Sequence, residues 1–199
     1  MLIIGSHVGL GGKDMLVGSL KEALSYGANT FMFYTGAPQN TLRRPIYEFK
    51  VEEAKKMMIE NNIDINNIIV HAPYIVNLGN SRNFDFSVSF LIQELERCSQ
   101  LGVKYLVLHP GASVDLPREI AIKNIYDGLN LILDNDYLTF LADNDDKTQA
   151  FFVDDAIFLK CHCDVKDESE KFFYKTVLYH EFGHYVFEQL PEYLQLYWQ

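Results

Sequence analysis

No apolar run in these 199 residues approaches the roughly 18 needed to cross a bilayer, so no membrane span is expected. The opening stretch, Met1-Leu2-Ile3-Ile4-Gly5, has no basic residue ahead of its apolar part and reads as a strand rather than a secretory leader. Cysteine is scarce: three residues, two of them in Cys161-His162-Cys163, which suits a reducing, cytoplasmic setting and excludes a disulfide framework. Basic residues run short toward the carboxyl end. Residues 1–133 carry 12 Lys/Arg against 13 Asp/Glu, a balance of −1, whereas residues 134–199 carry 5 against 14, a balance of −9. Phosphate binding rests on basic neutralisation, so the last third is a poor nucleic-acid surface, and the charge step marks two segments.

The first segment is regular. Short apolar runs at residues 2–7, Ala28–Tyr34, Asn67–His71 and Lys104–His109 read as strands. Between them, apolar residues at helical spacing predict helices from Asp14, as cap, to about Ser25, from Val51 to Asn61, from Asp85 to Leu101 and from Pro117 to Leu133. Strands that show no polar side are buried on both faces, as in parallel sheets covered by helices. The expected fold is therefore α/β: a (β/α)₄ half-barrel over 1–133, followed by a small α+β segment over 134–199. A half-barrel leaves the edge of strand four, or of a fifth strand, open to another chain, so association into a homo-oligomer is expected through such edges.

The third and fourth strands each end in histidine after an apolar run. His71 follows Ile68-Ile69-Val70 and opens Ala72-Pro73-Tyr74-Ile75-Val76-Asn77-Leu78-Gly79; His109 follows Tyr105-Leu106-Val107-Leu108 and opens Pro110-Gly111. Polar residues at the carboxyl ends of barrel strands are where this architecture keeps its chemistry, and two neutral imidazoles on successive strand ends can share a metal ion. The competing structural reading is a pair of satisfied strand-end histidines.

These stretches, with Ile4-Gly5-Ser6-His7-Val8 and Thr35-Gly36-Ala37-Pro38-Gln39-Asn40, resemble the endonuclease IV family of zinc-dependent apurinic/apyrimidinic endonucleases over about residues 3–133. The family's barrel takes about 250 residues or more, so this chain is too short to close one of that kind. The resemblance implies Zn²⁺ as cofactor, with His71 and His109 as two ligands of one ion. It implies abasic-site double-stranded DNA as partner and hydrolysis of the phosphodiester 5′ to the abasic site. By the same resemblance Tyr74 and Gln39 enter the DNA minor groove and fill the gap left by the extruded nucleotide, and His7 stands at or near the metal or DNA. The family's fifth strand ends in a Glu-Asn pair whose Glu bridges two zinc ions. The corresponding position here is Asp143-Asn144, thirty-four residues after His109 and one methylene shorter; an Asx-rich turn over Asp143-Asn144-Asp145-Asp146 reads the same residues. The family's later ligands have no counterpart, so catalysis by this chain alone is expected to be impaired.

Beyond residue 133 the pattern changes. Tyr137–Ala142 reads as a fifth strand, and Ala150–Val153 with Ala156–Cys163 as a hairpin around Asp154-Asp155. A helix is expected from Ser169 to about Gln189, carrying His180-Glu181-Phe182-Gly183-His184. Histidines at i and i+4 share a helix face and can chelate one zinc ion, while Glu181 can polarise a bound water. The segment resembles the start of a gluzincin-type zinc metallopeptidase, in which Glu181 would be catalytic and His180 and His184 ligands. No third ligand is assured: Phe187 and Leu190 stand where a metzincin would continue, and Cys161 and Cys163 offer an alternative structural site with the two histidines.

Overall fold

The computed structural model describes residues 2–133 and the backbone of residues 149–153 and 156–160. Strand β1 spans Gly5–His7, β2 Thr30–Phe33, β3 Ile69–His71 and β4 Tyr105–Leu108. The connecting helices are α1 (Met15–Ser25), α2 (Val51–Glu60) and α3 (Phe84–Leu101), with α4 (Arg118–Leu133) after β4. The four strands pair in parallel in sequence order. This is a partial TIM-type barrel, in keeping with the α/β half-barrel the sequence predicts.

Each strand is shorter than its apolar run. Parallel ladders end where a neighbour no longer offers a partner. At β1 the register begins at Gly5↔Thr30, and Asn29 replaces the ladder before it: the Ile4 amide donates to Asn29 Oδ1 (2.7 Å) and Asn29 Nδ2 donates to the Leu2 carbonyl (2.8 Å). Burial follows position. β1 is an exposed edge, flanked by Leu2, Ile3 and Ile4, whereas Val70, Leu106 and Leu108 are sealed in the middle. The core joins Phe31 and Phe33 of β2 to Leu16 and Leu20 of α1, Met58 of α2, Leu91 and Leu95 of α3, and Leu129 and Ile132 of α4. These are the helical positions whose spacing puts them on one face, and covering them is the dominant favourable term in the fold.

Two expectations are corrected. Asp14 stands at the cap position of α1, but its carboxylate accepts no bond from the helix amides. It pairs instead with Lys21 and Lys50, each at 3.1 Å, and the two ammonium groups hold its pKa below the usual carboxylate value. The edge of β4 is not open either. Strands β5 (Gln149–Val153) and β6 (Ala156–Lys160) form the expected hairpin, and β6 pairs antiparallel along β4 from Tyr105↔Lys160 to Leu108↔Ile157. A β4 edge with unspent backbone groups is filled most readily by the next strand of the same chain. The sheet order is thus β1-β2-β3-β4-β6-β5. Tyr137–Ala142, Asp143 and the segment carrying His180, Glu181 and His184 lie outside the described residues.

Phe33, fully buried, and Tyr47, 85% exposed, set a contrast in stability. Phe33→Ala should cost about 3–5 kcal/mol through lost burial and a residual cavity, whereas Tyr47→Ala should stay within about 0.5 kcal/mol. Urea unfolding with unchanged slope checks both.

Candidate functional site

The parallel register carries the carboxyl ends of all four strands to one end of the sheet, and the loops that follow them share that end. His7 closes β1, Tyr34 follows β2, His71 closes β3 and His109 follows β4. Their rings form a continuous cluster: His7–Tyr34 at 4.7 Å between centroids, Tyr34–His71 at 4.8 Å and His71–His109 at 5.2 Å. Tyr74, on the loop after β3, meets both Tyr34 and His71 at 5.7 Å. His7 pairs with Met32, two residues before Tyr34, and His71 with Val107, two residues before His109, so neighbouring rings stay within two residues of one level and residues about a hundred positions apart converge.

His71 is the buried member, 7% exposed, while His109 and His7 face solvent. Its Nδ1 lies 2.6 Å from the Ala72 carbonyl. A carbonyl only accepts, so Nδ1 carries the hydrogen and Nε2 keeps its lone pair. Burial lowers the His71 pKa, and the neighbouring His109 and His7 add to that, while the Ala72 bond opposes it. Burial likewise lowers the pKa of His7. Both are therefore held toward the neutral form, the form that ligates metal. Tyr34 is pushed the other way, its phenol pKa raised first by burial and then by its hydrogen bond to Tyr74.

The His71–His109 spacing has a simple interpretation. Two imidazoles bound to one tetrahedral zinc, with bonds of about 2.1 Å, place their ring centroids about 5 Å apart. The 5.2 Å between the His71 and His109 rings matches that spacing. The two rings do not complete a ligand set: among the described residues no group of three His, Cys, Asp or Glu side chains is arranged to hold a metal.

A latch joins the two loops that bear Tyr74 and His109. Asn77 Oδ1 accepts from the amides of Gly79 (3.0 Å) and Ala112 (3.1 Å), and its Nδ2 donates to the Ala112 carbonyl (3.1 Å). The Leu78 amide donates to the Pro110 carbonyl at 3.1 Å. Gly111 is required beneath the latch. Its φ is +120°, and a Cβ there would sit 2.0 Å from Asn77 Oδ1. The two loops wall a cleft lined by Pro73, Tyr74, Asn77, His109 and Gly111.

A family model described as xylose isomerase-like TIM barrel matches residues 20–147. The chain belongs to the xylose isomerase-like TIM barrel family. Within that family it is 55% identical over 133 residues to a probable endonuclease 4 of Ureaplasma urealyticum, and 53% identical over 137 residues to one of Bacillus subtilis. Those matches take in 66% and 67% of this chain but 44% and 46% of the relatives. The crystal structure of endonuclease IV from Thermus thermophilus superimposes with a TM-score of 0.51 at 28% identity, over 65% of this chain and 47% of the other. The chain spans under half the length of these relatives.

Of the sequence-predicted site residues, His7, His71, His109 and Tyr74 are brought together. Gln39 is exposed in the loop after β2, at the same end of the sheet. Asp143, His180, Glu181 and His184 are not described. Sequence reasoning missed Tyr34, although it stands at a strand end as the histidines do, and it missed the latch role of Asn77, whose partner across the cleft, Ala112, lies 35 residues away.

Asn77→Ala removes three hydrogen bonds from this latch and should cost about 2–4 kcal/mol in unfolding free energy, at roughly 1 kcal/mol per bond. Gly111→Ala should destabilise by a comparable amount through strain and the clash at Oδ1. Urea unfolding of the two single variants and of the double variant checks this, with non-additive losses expected because both act on one latch.

Proposed function

We propose that this chain engages abasic-site duplex DNA at the strand-end face as an endonuclease IV-type, zinc-dependent phosphodiesterase whose turnover is impaired when it acts alone. One observation carries the reading: the imidazole pair of His71 and His109 at 5.2 Å, beside a Tyr74 that is 64% exposed at the same end of the sheet. Kinship with proteins named probable endonuclease 4 supports it.

On this reading His71 and His109 would hold zinc, which when bound neutralises phosphate charge and activates water for hydrolysis 5′ to the abasic site. The chain's own groups do the rest. Tyr74 stacks where a base pair has been lost, and the amide of Gln39 occupies the gap from the opposite loop. The Ala72 carbonyl fixes the tautomer and orientation of His71. The shortfall lies in ligand number. A catalytic zinc normally takes three protein ligands, and Asp143 is the anionic donor that the sequence offers for this site.

A second reading rests on the sequence alone. His180, Glu181 and His184 have the spacing of a metallopeptidase zinc helix. Casein cleavage abolished by a chelator and by Glu181→Gln would establish it; absence of both casein cleavage and abasic-duplex nicking would leave a non-catalytic fusion.

Tyr74→Ala should weaken binding to abasic duplex about tenfold or more, the worth of one lost stacking contact, while binding to the intact duplex changes less than about twofold. Fluorescence anisotropy with the two duplexes reads this directly. Nicking of abasic duplex with added zinc should run well below about 1 s⁻¹ and fall further in His109→Ala. Wild-type turnover at or above that rate, lost in the variant, would mean that the missing ligands are supplied.

A further inference from the structure

Arg43 lies in the loop after β2, at the end of the sheet where a cation of a DNA-binding protein would ordinarily meet a phosphate. Its guanidinium is already committed. Nε donates to Glu94 Oε1 at 2.5 Å, and Nη1 donates to the carbonyls of Ala37 (3.3 Å), Asn40 (3.0 Å) and Leu42 (3.0 Å). The loop that carries Gln39 is therefore wrapped around one cation. Gly36 makes this possible, because a Cβ there would lie 2.7 Å from Arg43 Nη1 and 2.9 Å from the Leu42 carbonyl.

The anchor for that cation is on α3. The Glu94 side chain is 1% exposed and that of Arg43 9%. The second carboxylate oxygen of Glu94 accepts from Thr35 Oγ1 at 2.5 Å. Arg97 closes the network, donating from Nε to Thr35 Oγ1 and from Nη2 to the Thr35 carbonyl, each at 3.3 Å. Both ends of the loop, Thr35 and Arg43, are thus tied to one buried carboxylate. A buried ion pair adds little net stability over an apolar replacement; what it provides is a single, fully satisfied geometry.

We propose that Glu94, acting through Arg43 and Thr35, is a positioning residue. It sets the 35–44 loop in its DNA-ready shape before DNA arrives, and it withholds Arg43 from phosphate contact. This inference rests on the DNA-binding reading above, but the loop-setting part can be measured without DNA.

The test uses the full chain and three variants, Glu94→Gln, Thr35→Val and Arg43→Gln. Two quantities are read: hydrogen exchange of the loop amides, and abasic-duplex affinity as a function of salt. Glu94→Gln should speed exchange at residues 37–42 about tenfold and weaken abasic-duplex binding about tenfold, the cost of ordering the loop on binding. Arg43→Gln should do the same without flattening the salt dependence. A phosphate contact behaves otherwise, since its loss reduces the salt slope by about one. That result, or tighter DNA binding by Glu94→Gln with unchanged loop exchange, would overturn the proposal. Should Glu94→Gln fail to fold, Thr35→Val removes one bond to the same carboxylate, and unchanged exchange and affinity in that variant would equally overturn it. If Glu94→Gln loosens the loop while the wild-type chain shows no preference for abasic duplex, the lock stands and the DNA-binding reading falls.

Discussion

Parallel pairing of β1 to β4 is the constraint on which everything else depends. It sends every strand's carboxyl end to one end of the sheet, so side chains from four separate stretches arrive together without further instruction. The helices that make the pairing possible bury Phe33, Leu106, Leu91 and their neighbours, and that burial holds the register. A slip of one residue along β3 would turn His71 to the opposite face of the sheet and break the ring cluster.

The elements were legible in the sequence because their signals are local. Apolar runs gave the four strands, and helical spacing gave four helices to within a residue or two of their observed limits. The site was legible where a residue type announced its chemistry, as His71, His109 and Tyr74 did. What escaped was tertiary. The Asn77 latch and the Glu94–Arg43 pair join residues 35 and 51 positions apart, and nothing in either stretch alone shows the partner. Tyr34 escaped because a tyrosine after a strand reads first as packing. Asp14 shows the converse failure: its local signal as a cap was clear, but two lysines compete successfully for its carboxylate. The docking of β6 on β4 escaped for a third reason, since the apolar pattern of a hairpin does not name the edge it will cover.

The site balances order against completeness. Tautomer, loop shape and loop-to-loop spacing are all fixed by interactions that lie away from the reacting centre, as a preorganised site requires. The ligand set is not complete in the same sense. On the proposed reading His71 and His109 supply two nitrogens, and among the described residues no third His, Cys, Asp or Glu joins them to hold a metal. The match takes in 44% of one relative and 47% of another, which leaves room in them for the remainder of a barrel.

The central claim is that the strand-end imidazoles form the chain's zinc site, and the zinc content of the purified chain tests it most directly. Wild type, the double variant His71→Ala/His109→Ala, and His180→Ala should be dialysed against the same buffered zinc and assayed for metal per chain. The account predicts a weakly held ion that is lost in the strand-end double variant and retained in His180→Ala. Zinc unchanged in the double variant, or lost only in His180→Ala, would contradict it and move the metal chemistry to the carboxyl-terminal segment.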